Sequence, residues 1–216
     1  MADSKLSALP ALSAAPATGD LVYLVDISEP VAADRSKQIT VANLLAGDFP
    51  ITVDASISAS ALKGTVTTGA GDANLLPQQA ETTTNKVNYD YMAFTVNQQA
   101  YFQYRMPVGW NEGTITFRYL WTATAGSGNV TLGLKAIALS DNDALDTAFG
   151  TQVTVQDTLQ TANAVHVSAA SGAVTVGGTP AAQDMTFFQV TLTAIATTDF
   201  RLLGLVLSFT RDAATD

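Results

Sequence analysis

Few residues in this chain can transfer a proton, attack a carbonyl or hold a metal. His166 is the one histidine, cysteine is absent, and glutamate occurs only at Glu29, Glu81 and Glu112. A nucleophilic triad needs its imidazole beside an activated nucleophile and an orienting carboxylate. His166 lies instead in Val165-His166-Val167-Ser168, a strand pattern, and is expected to be structural. One histidine and no thiolate do not make a zinc site. Aspartates are plentiful enough for the carboxylate pair of a glycosidase, but most fall in turns and caps, where Asp already has a conformational task. Asp141, Asp143 and Asp146 form the one acidic cluster. It resembles the start of a calcium loop but lacks the glycine and the closing bidentate Glu, and helix capping explains it without a metal. Gly126-Ser127-Gly128 lacks the Lys-Ser/Thr and the helix of a phosphate loop. No catalytic residue, metal site or cofactor is therefore expected. Trp121 alternates with Phe117 and Tyr119 and reads as core. Trp110, in the turn Gly109 to Gly113, either packs at the end of a sandwich or offers a sugar a stacking surface.

The elements that would position these residues are strands. Met92, Phe94 and Val96 alternate with Tyr91, Ala93 and Thr95; Phe102, Tyr104 and Met106 alternate with Gln103 and Arg105; Ile115, Phe117, Tyr119 and Trp121 alternate with Thr116, Arg118 and Leu120. A period of two between turn signals such as Pro107-Val108-Gly109 is the mark of half-buried antiparallel strands. Further strands are predicted at 130–139, 152–155, 187–195 and 200–209, and one short helical turn at 141–149, capped by Ser140 or Asp141 and ended by Gly150. Seven or eight strands with short turns predict an all-β fold, an antiparallel sandwich of jelly-roll type, over 89–216. In the last strand Leu203, Leu205, Leu207 and Phe209 define one apolar face while Leu202 and Val206 occupy the other. A strand apolar on both faces is covered on both, so either the N-terminal segment or a second subunit covers the second face, and Leu202 and Val206 are assigned to an oligomer interface.

Upstream, 50–88 is rich in Ala, Ser, Thr and Gly and poor in large apolar side chains, which predicts an extended linker. Residues 1–49 read as a small separate unit. Leu6, Leu9 and Leu12 are spaced through Ser, Ala and Pro; Leu21, Tyr23 and Val25 lie in a strand; Ile39 and Val41 lie in a second strand, ahead of a short helix at 42–45 that holds Leu44 and stops at Gly47. A hairpin and one helical turn bury too little surface to fold alone. The segment therefore packs on its own C-terminal domain or docks on a partner, and the nine residues named are the docking candidates.

Composition narrows the partners. Charged residues are 13% of the chain, against roughly 25% in an ordinary globular protein, and the net charge is −9. A polyanion gains no counterion release from nucleic acid, and anionic membranes repel it for the same reason. No apolar run approaches the roughly 20 residues that span a bilayer. The start, Met1-Ala2-Asp3-Ser4-Lys5, lacks the apolar core of a signal peptide, which predicts synthesis in a cytoplasm.

Lys5-Leu6-Ser7-Ala8-Leu9-Pro10-Ala11-Leu12, Thr18-Gly19-Asp20-Leu21-Val22-Tyr23-Leu24-Val25-Asp26 and Lys37-Gln38-Ile39-Thr40-Val41-Ala42-Asn43-Leu44-Leu45 together resemble the N-terminal segment of tailed-bacteriophage fibre and head-appendage proteins. The stretch from Gly113 to Thr158, with Thr116-Phe117-Arg118-Tyr119-Leu120-Trp121 and Ala138-Leu139-Ser140-Asp141-Asn142-Asp143-Ala144-Leu145-Asp146, is similar to a β-domain of phage structural proteins. The resemblance implies a homotrimeric virion component whose N-terminal segment attaches to the major capsid protein or to a tail protein. The chain is short and has no repetitive shaft, which favours a capsid decoration, cement or head-fibre protein. The alternative is a short tail fibre that binds a host receptor or glycan.

Overall fold

A computed structural model describes residues 21–25, 36–40, 51–65, 75–197 and 199–212. The chain divides into two compact units, Met1–Pro50 and Ile51–Asp216. In the first, β1 (Leu21–Val25) and β2 (Ser36–Thr40) pair antiparallel, with Leu21 opposite Thr40, Val22 opposite Ile39 and Tyr23 opposite Gln38. Of the docking candidates, Leu21, Tyr23, Val25 and Ile39 belong to this hairpin. Leu6, Leu9, Leu12, Val41 and Leu44, and the helix expected at 42–45, lie outside the described residues.

The second unit is an all-β sandwich. Its strands are β3 (Ile51–Ser58), β4 (Gln78–Glu81), β5 (Asn88–Ala93), β6 (Gln99–Arg105), β7 (Thr116–Thr122), β8 (Gly126–Leu139), β9 (Val153–Leu159), β10 (His166–Val167), β11 (Val176–Gly177), β12 (Met185–Thr197) and β13 (Arg201–Arg211). In the six-stranded sheet, β7 lies between β10 and β13, and the far edge of β13 carries β5 at its start and β3 along the rest, with β4 beyond β5. In the five-stranded sheet, β12 lies between β6 and β8, and the outer edge of β8 carries β9 and then β11. The β8–β11 pair is parallel; the rest are antiparallel.

Alternation places the core as the sequence predicts. Phe117, Tyr119 and Trp121 of β7 and Leu205, Leu207 and Phe209 of β13 are buried with Leu132, Leu134, Phe188, Val190 and Leu192 from the opposite sheet in one cluster. The Phe102 and Phe188 rings stack 4.7 Å apart. Between the sheets, the Tyr119 hydroxyl donates to the Val130 carbonyl at 2.9 Å.

Three expectations are corrected. The segment 50–88 is not simply a linker: β3 pairs with β13 from Ile51–Arg211 to Ser58–Gly204, and Ala55, Ala59, Leu62 and Leu75 belong to the core. In a sandwich a strand turns alternate residues to the core, so Val53, Ala55 and Ile57 suffice among small polar neighbours. The helix expected at 141–149 is absent; Asp143 closes a tight turn instead, its carboxylate accepting from the Ser140 N–H at 2.9 Å.

The third correction concerns β13. Its register against β7 passes from Leu202–Trp121 to Gly204–Leu120, so Leu203 is an unpaired extra residue, a β-bulge. The slip reverses the alternation. Leu202 turns into the core with no exposure, Leu203 turns half outward, and Leu205 resumes the inward face. The second apolar face inferred from the sequence comes from this phase change, and Leu202 is covered by its own chain. Val206 does face outward, between Arg118 and Ser56. Gly204 makes the bulge fit, because a Cβ there would lie 2.6 Å from the Ile57 carbonyl oxygen.

Candidate functional site

The outer face of the five-stranded sheet carries a concavity lined by aromatic side chains. Register fixes which side chains reach it. Phe187 pairs with Gln103 and with Ile137, and Gln189 with Tyr101 and with Lys135, so these six share the outer face while Phe102, Phe188 and Ala136 point to the core. Adjacent Phe187 and Phe188 must face opposite sides, which commits one aromatic ring to the exterior.

Two segments wall this face into a groove of about 540 Å³, within the roughly 300–1,000 Å³ of small-ligand sites. Lys63 bridges Tyr101 on the free edge of β6, its N–H donating to the Tyr101 carbonyl at 2.9 Å, and brings Ala61 and its own side chain to one rim. The connection from β8 to β9 forms the other wall. Gly150 N–H donates to the Ala136 carbonyl at 3.0 Å at the β8 edge, and from there Phe149 reaches back until its ring lies 6.4 Å from that of Tyr101. Leu145 and Thr147 stand on this wall, and Leu139 and Phe187 lie on the floor.

The Tyr101 phenol at the groove is held in place by two neighbouring amides. The Tyr101 hydroxyl donates to Gln99 Oε1 at 2.8 Å and accepts from Gln189 Nε2 at 2.7 Å, and the same Nε2 reaches Gln99 Oε1 at 2.9 Å. Two glutamines therefore hold one phenol, fixing the ring before any ligand arrives. Gln189 is 7% exposed, and its Oε1 has no hydrogen-bond partner. Gln103 is exposed at the groove. Among the described residues, Lys63 and the Tyr101 phenol are the ionisable groups that line the groove.

The residues singled out from the sequence lie elsewhere. Trp110 is 3% exposed and belongs to the core, so it offers no stacking surface; its Nε1–H is buried without an acceptor. Trp121 is core, and its Nε1–H donates to Asp157 Oδ2 at 2.8 Å. His166 packs its ring 5.0 Å from Trp121, with Nε2 2.9 Å from the Thr161 carbonyl oxygen. Asp141 and Asp143 hold their own turn, by bonds to Asn142 and Ser140, and among the described residues no three His, Asp or Glu side chains converge as for a metal ion. Tyr101, Phe149 and Phe187 were missed because an alternation read for its core leaves the opposite face to solvent by default.

No protein-family model matches the chain, and no curated protein matches it. Solved structures resemble it distantly. The CBM36-1 domain of a xylanase from the hindgut metagenome of Trinervitermes trinervoides is 8% identical with a TM-score of 0.38, over 72% of this chain and 96% of that one. A carbohydrate-binding module specific for non-crystalline cellulose is 10% identical with a TM-score of 0.35, over 71% and 87%. A cycloisomaltooligosaccharide glucanotransferase from Paenibacillus sp. is 11% identical with a TM-score of 0.39; this chain is matched over 72% of its length but spans only 18% of that enzyme. At such identities and scores these likenesses carry no functional argument.

Proposed function

We propose that this chain is a non-enzymatic structural protein of a tailed-bacteriophage virion, a homotrimeric capsid decoration protein attached through residues 1–49. The observation that carries the reading is the separation of a small N-terminal unit, with its β1–β2 hairpin, from a complete sandwich beginning at Ile51. A hairpin by itself is only marginally stable without a surface to pack on, whereas the sandwich has its own core. The motifs of the N-terminal segment supply the virion assignment by resemblance. Removing Met1 to Gly47 is expected to abolish binding to capsids while the remaining protein keeps its β-sheet circular dichroism and cooperative melting. Normal decoration of shells by the truncated protein would overturn the proposal.

The groove itself favours a second reading, a short tail fibre whose sandwich engages a host-surface glycan. Immunogold labelling of purified particles separates the two, since label over the head supports decoration and label confined to the tail supports the fibre.

A further inference from the structure

We propose that the groove on the outer face of the β6–β12–β8 sheet is a binding site for an oligosaccharide carrying no positive charge. The proposal gives the second reading its ligand and rests on it for its biological setting, although binding itself does not depend on where the protein sits in a particle.

Three observations carry it. The first is the aromatic surface. Tyr101, Phe149 and Phe187 are each partly exposed on one wall-and-floor arrangement, and the Tyr101 and Phe149 rings are tilted 46° to each other. Two inclined rings grip the apolar C–H faces of a pyranose better than a flat patch, and an aromatic body with a polar tip suits a ligand that is apolar on its faces and polar at its edges.

The second is the set of amides. A sugar's vicinal hydroxyls are donors and acceptors at once, and a carboxamide offers both from one planar group. Gln103 projects beside Phe187 as an exposed side chain on the groove. The Gln99–Tyr101–Gln189 network freezes the central ring in advance, which lowers the entropy cost of binding.

The third is charge. The chain holds 19 Asp and Glu against 10 Lys and Arg, yet among the described residues only Lys63 brings a formal charge to the groove. A single cation at the rim leaves the floor neutral, tolerates an acidic sugar and repels an amino sugar. An apolar peptide is the competing occupant, and absence of saturable oligosaccharide binding is the outcome that would favour it.

The test uses the full-length chain in isothermal titration calorimetry against neutral hexaoses (cellohexaose and maltohexaose), oligogalacturonate and chitosan hexamer. Saturable binding of at least one neutral or acidic oligosaccharide is expected, with none for chitosan hexamer. Tyr101→Ala and Phe187→Ala should each weaken it about tenfold, the loss of roughly 1.4 kcal/mol expected for one stacked ring. Gln103→Ala, on an exposed side chain that cannot unfold the sheet, should weaken it about threefold, and Val167→Ser on the opposite sheet should leave it unchanged. Retained cooperative melting shows which variants are folded. Absence of saturable binding across the panel overturns the proposal, as does binding that Gln103→Ala and Phe187→Ala leave untouched. A failed titration leaves virion labelling unaffected, so loss of this proposal and loss of the virion reading are distinguished.

Discussion

The bulge in β13 makes a prediction that a regularly alternating strand would reverse. Leu202 is fully buried among the core side chains and Leu203 is half exposed. Truncating a buried leucine loses its transfer free energy and leaves a cavity, at about 2.7–5 kcal/mol for Leu→Ala. Leu202 pairs directly with Trp121 across the ladder and with Met92 on its other side, two large side chains with no exposure, so collapse around the vacancy is restricted and the upper half of that range is expected. Leu203→Ala removes a side chain that solvent already reaches and should cost less than about 1 kcal/mol. With a urea slope of about 2 kcal/mol per M, a loss of about 4 kcal/mol lowers the unfolding midpoint by about 2 M. Leu203→Ala should then move it by less than about 0.5 M. Urea titrations of full-length protein, followed by tryptophan fluorescence since Trp121 adjoins the site, read both numbers. A larger shift for Leu203→Ala than for Leu202→Ala would refute the register. So would a Leu202→Ala protein that keeps its stability but falls apart as an oligomer, which would return Leu202 to an intersubunit position.

Further outcomes follow from other contacts. Gly204→Ala should destabilise by about 1–3 kcal/mol, because the new methyl meets backbone rather than a flexible side chain; an unchanged melting temperature would show that β3 does not approach so closely. Asp157→Ala should cost about 1–3 kcal/mol by leaving the Trp121 indole N–H without its acceptor, and Asp157→Asn, which keeps a carbonyl oxygen there, should recover most of that in thermal melts. Burial, and then the nearby Asp157 carboxylate, push the Tyr119 phenol well above its usual value of 10. The unfolded chain therefore ionises this phenol first and binds fewer protons, so its stabilising contribution is complete below about pH 10 and declines as pH rises toward the folded-state value. Denaturant midpoints measured from pH 9 upward should fall less steeply for Tyr119→Phe than for the native protein, and parallel curves would contradict the shift.

Much of the sandwich was legible because strands of this kind declare themselves locally. Phe117-Arg118-Tyr119-Leu120-Trp121 fixes face and type at once, since a ring every second residue packs only on a sheet. What escaped depends on partners distant in sequence. Leu202 and Leu203 are equivalent in a one-dimensional pattern, and only pairing with Leu120 and Trp121, some eighty positions away, decides which turns inward. β3 escaped for a related reason: Ile51 to Ser58 has the composition of a linker, and it is a strand because β13 offers it an open edge. The groove is less legible still. It is assembled from β6, β12, the segment around Lys63 and the connection after Leu139, and none of these marks itself as binding a ligand. Trp110 drew attention as the rarest aromatic type in a turn, but the Trp110–Arg211 bridge turns it into the core.

The pairing of β3 with β13 also decides how the sandwich bears load. The chain leaves the N-terminal unit at Pro50 and enters at once a ladder running from Ile51–Arg211 to Ser58–Gly204, eight residue pairs in all. A pull along the axis of β3 therefore strains those pairs together in shear, and Arg211 is itself braced on its other edge by the bridge to Trp110. A pull across the sheet would instead part them one after another from Ile51. Resistance to such tension is set by how fast the strand is stripped out, not by the equilibrium stability of the knob. Under such tension the short strand would be stiff in one direction and easily peeled in the other.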